Sequence, residues 1–158
     1  CNLVSREPWL GSQKATVITE YGLTDTDRTL LVVNIHAINF TFGTRDFEEQ
    51  IWRALESVSE HDGPILLSGD FNTWHTGRME KLQKMLSPRG FVALEFDVDH
   101  RKRAFGQALD HIYVRGLQPI EATTSLVATS DHNPMSVRLR LDNDDRHMST
   151  YSLGGGGN

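Results

Sequence analysis

Ile65-Leu66-Leu67-Ser68-Gly69-Asp70-Phe71-Asn72 is the stretch on which the reading of this chain turns. Gly63-Pro64 precedes it as a break, three aliphatic residues make a short buried strand, and Gly69 ends that strand. A carboxylate, an aromatic ring and an amide follow at once. Strand ends along one rim of a sheet are where α/β proteins bind ligands, so these polar residues are read first as a site.

Working outward, Leu30-Leu31-Val32-Val33-Asn34-Ile35 is almost continuously apolar and partly β-branched, the pattern of a strand buried on both faces. Thr16 to Tyr21 reads as a strand ended by Gly22. Phe47, Ile51, Leu55 and Val58 recur at helical spacing, which predicts an amphipathic helix from about Asp46 to Glu60 capped by Thr44 or Asp46. Beyond Asn72, the residues Met79, Leu82, Met85 and Leu86 predict a second helix, stopped by Pro88-Arg89-Gly90. Phe91 to Phe96 alternates like a strand, and Asp97 to Gln107 is a polar loop that includes a solvated Arg101-Lys102-Arg103. Leu109 to Val114 and Met135 to Leu141 are strands flanking a less regular stretch from Ile120 to Ala128. Helices early and none later imply a mixed α/β (α+β) sheet rather than a pure βαβ wind. Residues 1–141 form the one expected domain. Residues 142–158, ending in four glycines and Asn158, form a polar tail that cannot build a packed element.

Composition narrows the function classes. A chain of 158 residues, 38% hydrophobic and 23% charged, can bury a core under an ordinary globular surface. No apolar run approaches the ~20 residues that span a bilayer. The net charge of -5 argues against broad, non-specific nucleic-acid binding but leaves room for a local basic patch. A single cysteine, Cys1, excludes an internal disulfide framework and a multi-cysteine zinc site. The chain opens on Cys1 rather than Met and is read as cut from something longer, with any targeting segment upstream.

Four polar clusters each sit at a strand end: Asn34-Ile35-His36, Gly69-Asp70-Phe71-Asn72, Leu109-Asp110-His111 and Ser130-Asp131-His132-Asn133-Pro134. Together they offer hard oxygen ligands for a cation and imidazoles that titrate near neutral pH. Each alone has a plainer reading. Gly-Asp-Phe-Asn suits a turn, Asp131-His132 a helix cap, and His36 a satisfied histidine in a strand.

Their order is more specific than any one of them. Gly69-Asp70-Phe71-Asn72 and Ser130-Asp131-His132, with Leu109-Asp110-His111-Ile112 between and Asn34-Ile35-His36 before, resemble the motifs of the endonuclease/exonuclease/phosphatase superfamily. The resemblance covers about Val4 to Leu141, and Val4-Ser5-Arg6-Glu7-Pro8 is similar to the segment that follows the family's metal-binding glutamate. It implies a four-layer α/β sandwich of the deoxyribonuclease I-like type. A calcineurin-like phosphatase shares a Gly-Asp motif, but its further Asp and Gly-Asn-His cluster are not found at suitable places here.

The resemblance also implies roles. His132 becomes the candidate general base and Asp110 its orienting partner. Asp131, with Asp70, would hold Mg²⁺ or Mn²⁺. Asp70 and Asn72 would orient water and phosphate, His36 would donate to a phosphoryl or leaving-group oxygen, and Asn34 would steady its loop. Trp74, just past Asn72, would border the substrate. The implied activity is hydrolysis of a phosphate ester. A nuclease acting on nucleic acid is favoured over a phosphatase of a small-molecule or lipid phosphate, or a non-catalytic scaffold of the same fold.

One departure carries consequences. Nothing here matches the Asn and metal-binding Glu of the family's N-terminal strands, so the N-terminal part of the fold is expected to be missing. The chain by itself should then hydrolyse esters far more slowly than an extended one. Ile18, Leu31, Val33 and Leu66 are expected on surfaces left uncovered.

Overall fold

β3 (Thr29–His36) and β4 (Ile65–Asp70) lie side by side and parallel, joined by the crossover helix α1 (Arg45–Glu56). The computed structural model describes residues 1–7, 13–24, 26–39 and 43–142. The expected tail beyond Asp142, and Trp9, lie outside the described residues. β1 (Asn2–Arg6) and β2 (Gln13–Gly22) extend the sheet antiparallel from β3. α2 (Thr76–Leu86) and a 3₁₀ turn, Ser87–Arg89, follow β4. β5 (Val92–Ala93) is the far edge, and the small hairpin β6 (Arg103–Ala104) and β7 (Gln107–Ala108) leads into β8 (Asp110–Arg115). The six-stranded order is β1-β2-β3-β4-β8-β5, so β8 runs antiparallel beside β4. β9 (Leu117–Thr124) and β10 (Met135–Leu141) form a separate antiparallel pair.

The alternation of β3 and β4 sorts the two faces. Leu31, Val33, Ile35, Ile65 and Leu67 point to the helical side and meet Phe47, Ile51, Leu55, Leu82 and Phe71 in one core. Each such side chain removed from water contributes roughly 1.5–3 kcal/mol. On the opposite face Leu66, Ile112 and Val114 pack against Leu117, Val137 and Leu139 of the second sheet. The described residues thus build three layers of the expected sandwich: helices, a six-stranded sheet and a two-stranded sheet.

The uncovered surface differs from the expected one. Leu31 and Val33 are buried at 9% and 1% exposure, because their face of β3 looks at α1. Ile18 and Leu66 are partly buried against the two cores. On β1 and β2 the exposed large apolar side chains are Val4, Val17 and Tyr21, on strands that the two-stranded second sheet does not pair with.

Other elements depart in bounds. α1 ends at Glu56, and residues 57–60 form turns rather than a last helical turn. Thr44 is its N-cap by position, but its hydroxyl donates to Glu48 Oε1 instead of capping a backbone amide. α2 starts at Thr76 with the Nδ1 of His75 accepting from the Gly77 amide. Only Val92–Ala93 of the expected 91–96 strand is paired, and the expected loop 97–107 contains β6 and most of its hairpin with β7. Arg101 is not solvated: it grips Asp99 and stacks 4.8 Å over Phe96. Trp52 is half exposed on α1, covered on one side by Arg89 at 4.9 Å. Among the described residues no helix is long and apolar enough to cross a membrane.

Candidate active site

His36, Asp70 and Asp110 stand on one rung of three adjacent strands. His36 pairs with Asp70 across the parallel β3–β4 ladder, and Asp70 pairs with Asp110 across the antiparallel β4–β8 ladder. Register therefore brings residues 34 and 40 positions apart in sequence to one rim. The Nε2 of His36 lies 3.6 Å from Asp70 Oδ2.

The turn after β4 explains the Gly-Asp-Phe-Asn motif. Gly69 has φ 135°, and a Cβ there would sit 2.0 Å from the Ile35 carbonyl oxygen, so only glycine fits. Phe71 is fully buried between His111 and Tyr113, anchoring the turn in the core. Asn72 adopts φ 51°, a left-handed conformation that Asn tolerates better than most residues. Its amide N–H donates to Asp70 Oδ1 at 2.8 Å, and its side-chain Nδ2 donates to the Ala37 carbonyl at 2.8 Å.

His132 arrives on the connection between β9 and β10. Its Nδ1 is 3.0 and 2.8 Å from the two carboxylate oxygens of Asp110. Asp110 is buried, and that burial raises its pKa, opposed by the His132 hydrogen bond. Asn133 fixes the connection, donating from Nδ2 to the His100 carbonyl and accepting from the Val127 amide. Asp131, beside His132, is exposed.

Structure thus gathers His36, Asp70, Asn72, Asp110 and His132. Asn34 sits two rungs back, paired with Val17 and Ser68, exposed on the strand rather than in the loop. The loop after β3 is steadied by other residues. Gln50 donates to the His36 carbonyl and accepts from the Ile38 amide. Arg78 donates to the carbonyls of Ile38, Asn39 and Asn72. Buried Glu7 accepts from the Asn39 amide.

Sequence reasoning also missed Lys14, whose ammonium donates to His36 Nε2 at 2.8 Å and lies 3.8 Å from Glu7. No local pattern marks it, because β2 approaches His36 only through tertiary pairing. Gln50 and Arg78 did leave a signal: each is a polar residue on the buried stripe of a helix. Buried His111 is held neutral, its pKa pushed down to about 4 by burial and then by Arg101. It belongs to the core, with Thr73 Oγ1 2.7 Å away.

The oxygen donors suit a hard cation in type, but only in part. Among the described residues no group of three or more His, Cys, Asp or Glu could hold a metal ion.

A sequence profile of the Endonuclease/Exonuclease/phosphatase family matches residues 3–132. A UPF0294 protein of Yersinia pseudotuberculosis is 42% identical over 140 residues, 89% of this chain and 54% of that protein. The chain therefore spans about half the length of this curated relative. Two solved structures align at low identity. The mannosyl-6-phosphatase Bt3783 of Bacteroides thetaiotaomicron gives a TM-score of 0.59 at 17% identity, over 89% of this chain and 65% of that one. The D. rerio protein TDP2, complexed with a single-strand DNA product, gives 0.63 at 13%, over 89% and 67%. Such identities speak to fold alone, and the shared fold is the deoxyribonuclease I-like α/β sandwich.

Proposed function

The chain belongs to the endonuclease/exonuclease/phosphatase family, a family of phosphoesterases, and from that premise we propose that it carries the hydrolytic strand ends of a divalent-metal-dependent phosphodiesterase acting on nucleic acid. The observation that carries the proposal is the doubly held His132–Asp110 pair on the same rim as Asp70 and His36. A buried carboxylate on Nδ1 fixes the tautomer in which Nε2 is free to take a proton from water. His132 is the general base in this reading, and Asp110 stabilises the imidazolium that results.

Lys14 donates to His36 Nε2, which leaves the Nδ1–H of His36 as the donor for a phosphoryl or leaving-group oxygen. Asp70 and Asn72 orient the water and the phosphate from a turn that the backbone holds rigid. Mg²⁺ or Mn²⁺, held in part by Asp70 and Asp131, would supply charge stabilisation of the phosphoryl oxygens. Trp74, whose Nε1 donates to Asn39 Oδ1, borders the substrate. The same fold is found in a D. rerio protein that holds a single-strand DNA product and in a Bacteroides mannosyl-6-phosphatase, so it admits either substrate, and the nuclease is the reading put to the test.

The test is an assay of the full-length protein on a chromogenic phosphodiester and on single-stranded DNA. Hydrolysis should require Mg²⁺ or Mn²⁺, stop with EDTA, and fall about 10²–10⁴-fold in His132→Gln. Metal-independent turnover, or an active His132→Gln variant, would overturn the reading.

A further inference from the structure

Phe105 has the largest exposure of any bulky apolar side chain among the described residues, 89%. It is the first residue of the two-residue turn Phe105-Gly106 between β6 and β7, where Ala104 pairs with Gln107. Both turn residues have positive φ, 50° and 83°. Asn, Asp or Gly ordinarily takes the first position of such a turn, and a bulky ring there is strained. No burial offsets that strain, since the ring stands in solvent.

The ring does have a neighbour. Trp74 lies 6.2 Å away between centroids, tilted by 57°. Trp74 is itself fixed, by its bond to Asn39 at 2.9 Å and by the Arg78 guanidinium 5.5 Å from its ring. The two aromatic walls are tied together beneath: Thr73, next to Trp74, donates to the carbonyl of Ala108, on the strand that leaves Phe105. Trp74 is two residues from Asn72, and Ala108 two residues from Asp110. Lys102 stands exposed just before the hairpin, while Arg101 and Arg103 both pair with Asp99 and Arg103 also holds the turn through the Gly106 carbonyl.

We propose that Phe105 and Trp74 form a stacking platform for an unpaired nucleobase, so that the phosphoester brought to the strand ends is a base-bearing, single-stranded one. The proposal deepens the phosphoesterase reading and rests on it for the reacting site alone. Flat aromatic faces receive any base, and stacking is tolerant of sequence. A duplex keeps its bases stacked on one another, so only an unpaired base is available. Exposed Lys102 suits a flanking phosphate, whereas an acyl chain would need a continuous apolar surface that this hairpin, flanked by Lys102 and the Asp99–Arg103 pair, does not offer. A small platform also accords with a chain of net charge -5, which is unsuited to a long electrostatic contact.

The experiment uses the full-length protein in EDTA and two dye-labelled probes, an oligothymidylate and an abasic sugar-phosphate chain of equal length, read by anisotropy. The native protein should prefer the base-bearing probe by at least about fivefold, the lower end of what one stacked base contributes. Phe105→Asn keeps the turn and removes the ring. It should bring the preference close to one, leave abasic binding unchanged, and hold or raise the melting temperature. Phe105→Trp should keep the preference. A native protein that does not discriminate, or a Phe105→Asn variant that still does, overturns the platform. Base discrimination that depends on Phe105, in a protein that hydrolyses no phosphoester with Mg²⁺, would overturn the phosphoesterase reading and leave the platform standing.

Discussion

The Nδ1 of His132 contacts both carboxylate oxygens of Asp110, at 3.0 and 2.8 Å. Burial raises the Asp110 pKa, and the His132 bond offsets that only in part. An acid with a raised folded pKa stabilises the fold when protonated and loses that contribution as pH rises through the folded value. The ionised form of Asp110 is therefore held at a net cost. Asp110→Asn should leave the melting temperature unchanged or higher while lowering kcat by roughly 10³–10⁴-fold, as loss of the correct tautomer does in triads. Steady-state kinetics and thermal melts on the same preparations check this. A parallel collapse of both would make the pair structural.

His111 carries the opposite sign. Its folded pKa, pushed down to about 4, lies below the ordinary value near 6.5. Stability contributed by the neutral ring is complete above about pH 6.5 and drains away as pH falls toward 4, by about 3 kcal/mol in all. Urea midpoints measured from pH 7 to 4.5 should fall steeply in the native protein. His111→Gln should start lower and fall less over the same window. Equal slopes would remove His111 as the cause.

Arg78 is 2% exposed and serves three carbonyls of two loops, between the rings of Phe47 and Trp74. Arg78→Met should cost about 3–5 kcal/mol, since desolvated acceptors lose their donor. Arg78→Lys should recover little, because a point charge cannot span the same acceptors. Urea unfolding gives the first value, and kcat/KM should fall in step as the loop carrying His36 loosens.

Val4, Val17 and Tyr21 present 54%, 40% and 53% of their surface on one side of β1 and β2. The isolated 158-residue chain is expected to self-associate through this face. Val17→Lys with Tyr21→Lys should shift sedimentation toward monomer. The same pair in the full-length protein should lower stability by about 1–3 kcal/mol per side chain if added chain covers the face. No loss there would show that the face stays open.

Much of the fold was legible because it is written locally. Periodicity gave α1, α2, β3, β4, β8 and β10 to within a few residues, since apolar spacing reflects which face of one element is buried. β5 was legible only as a longer strand, Phe91 to Phe96, and the β6–β7 hairpin was not legible. Their two-residue strands are defined by partners, not by their own composition.

The order of the four polar clusters was enough to identify the family, because Gly69, Asp70 and Asn72 meet backbone needs that few other residues satisfy. The sequence by itself determined the element types, the family and the residues at the strand ends. Tertiary structure alone decided which face of β3 was covered, since a strand apolar on both sides carries no mark of which side meets a helix. It also placed Lys14 against His36 and Phe105 beside Trp74, pairs separated by 22 and 31 positions. Such pairs are created by strand register and loop closure, which depend on the whole chain packing at once rather than on any local spacing of residues.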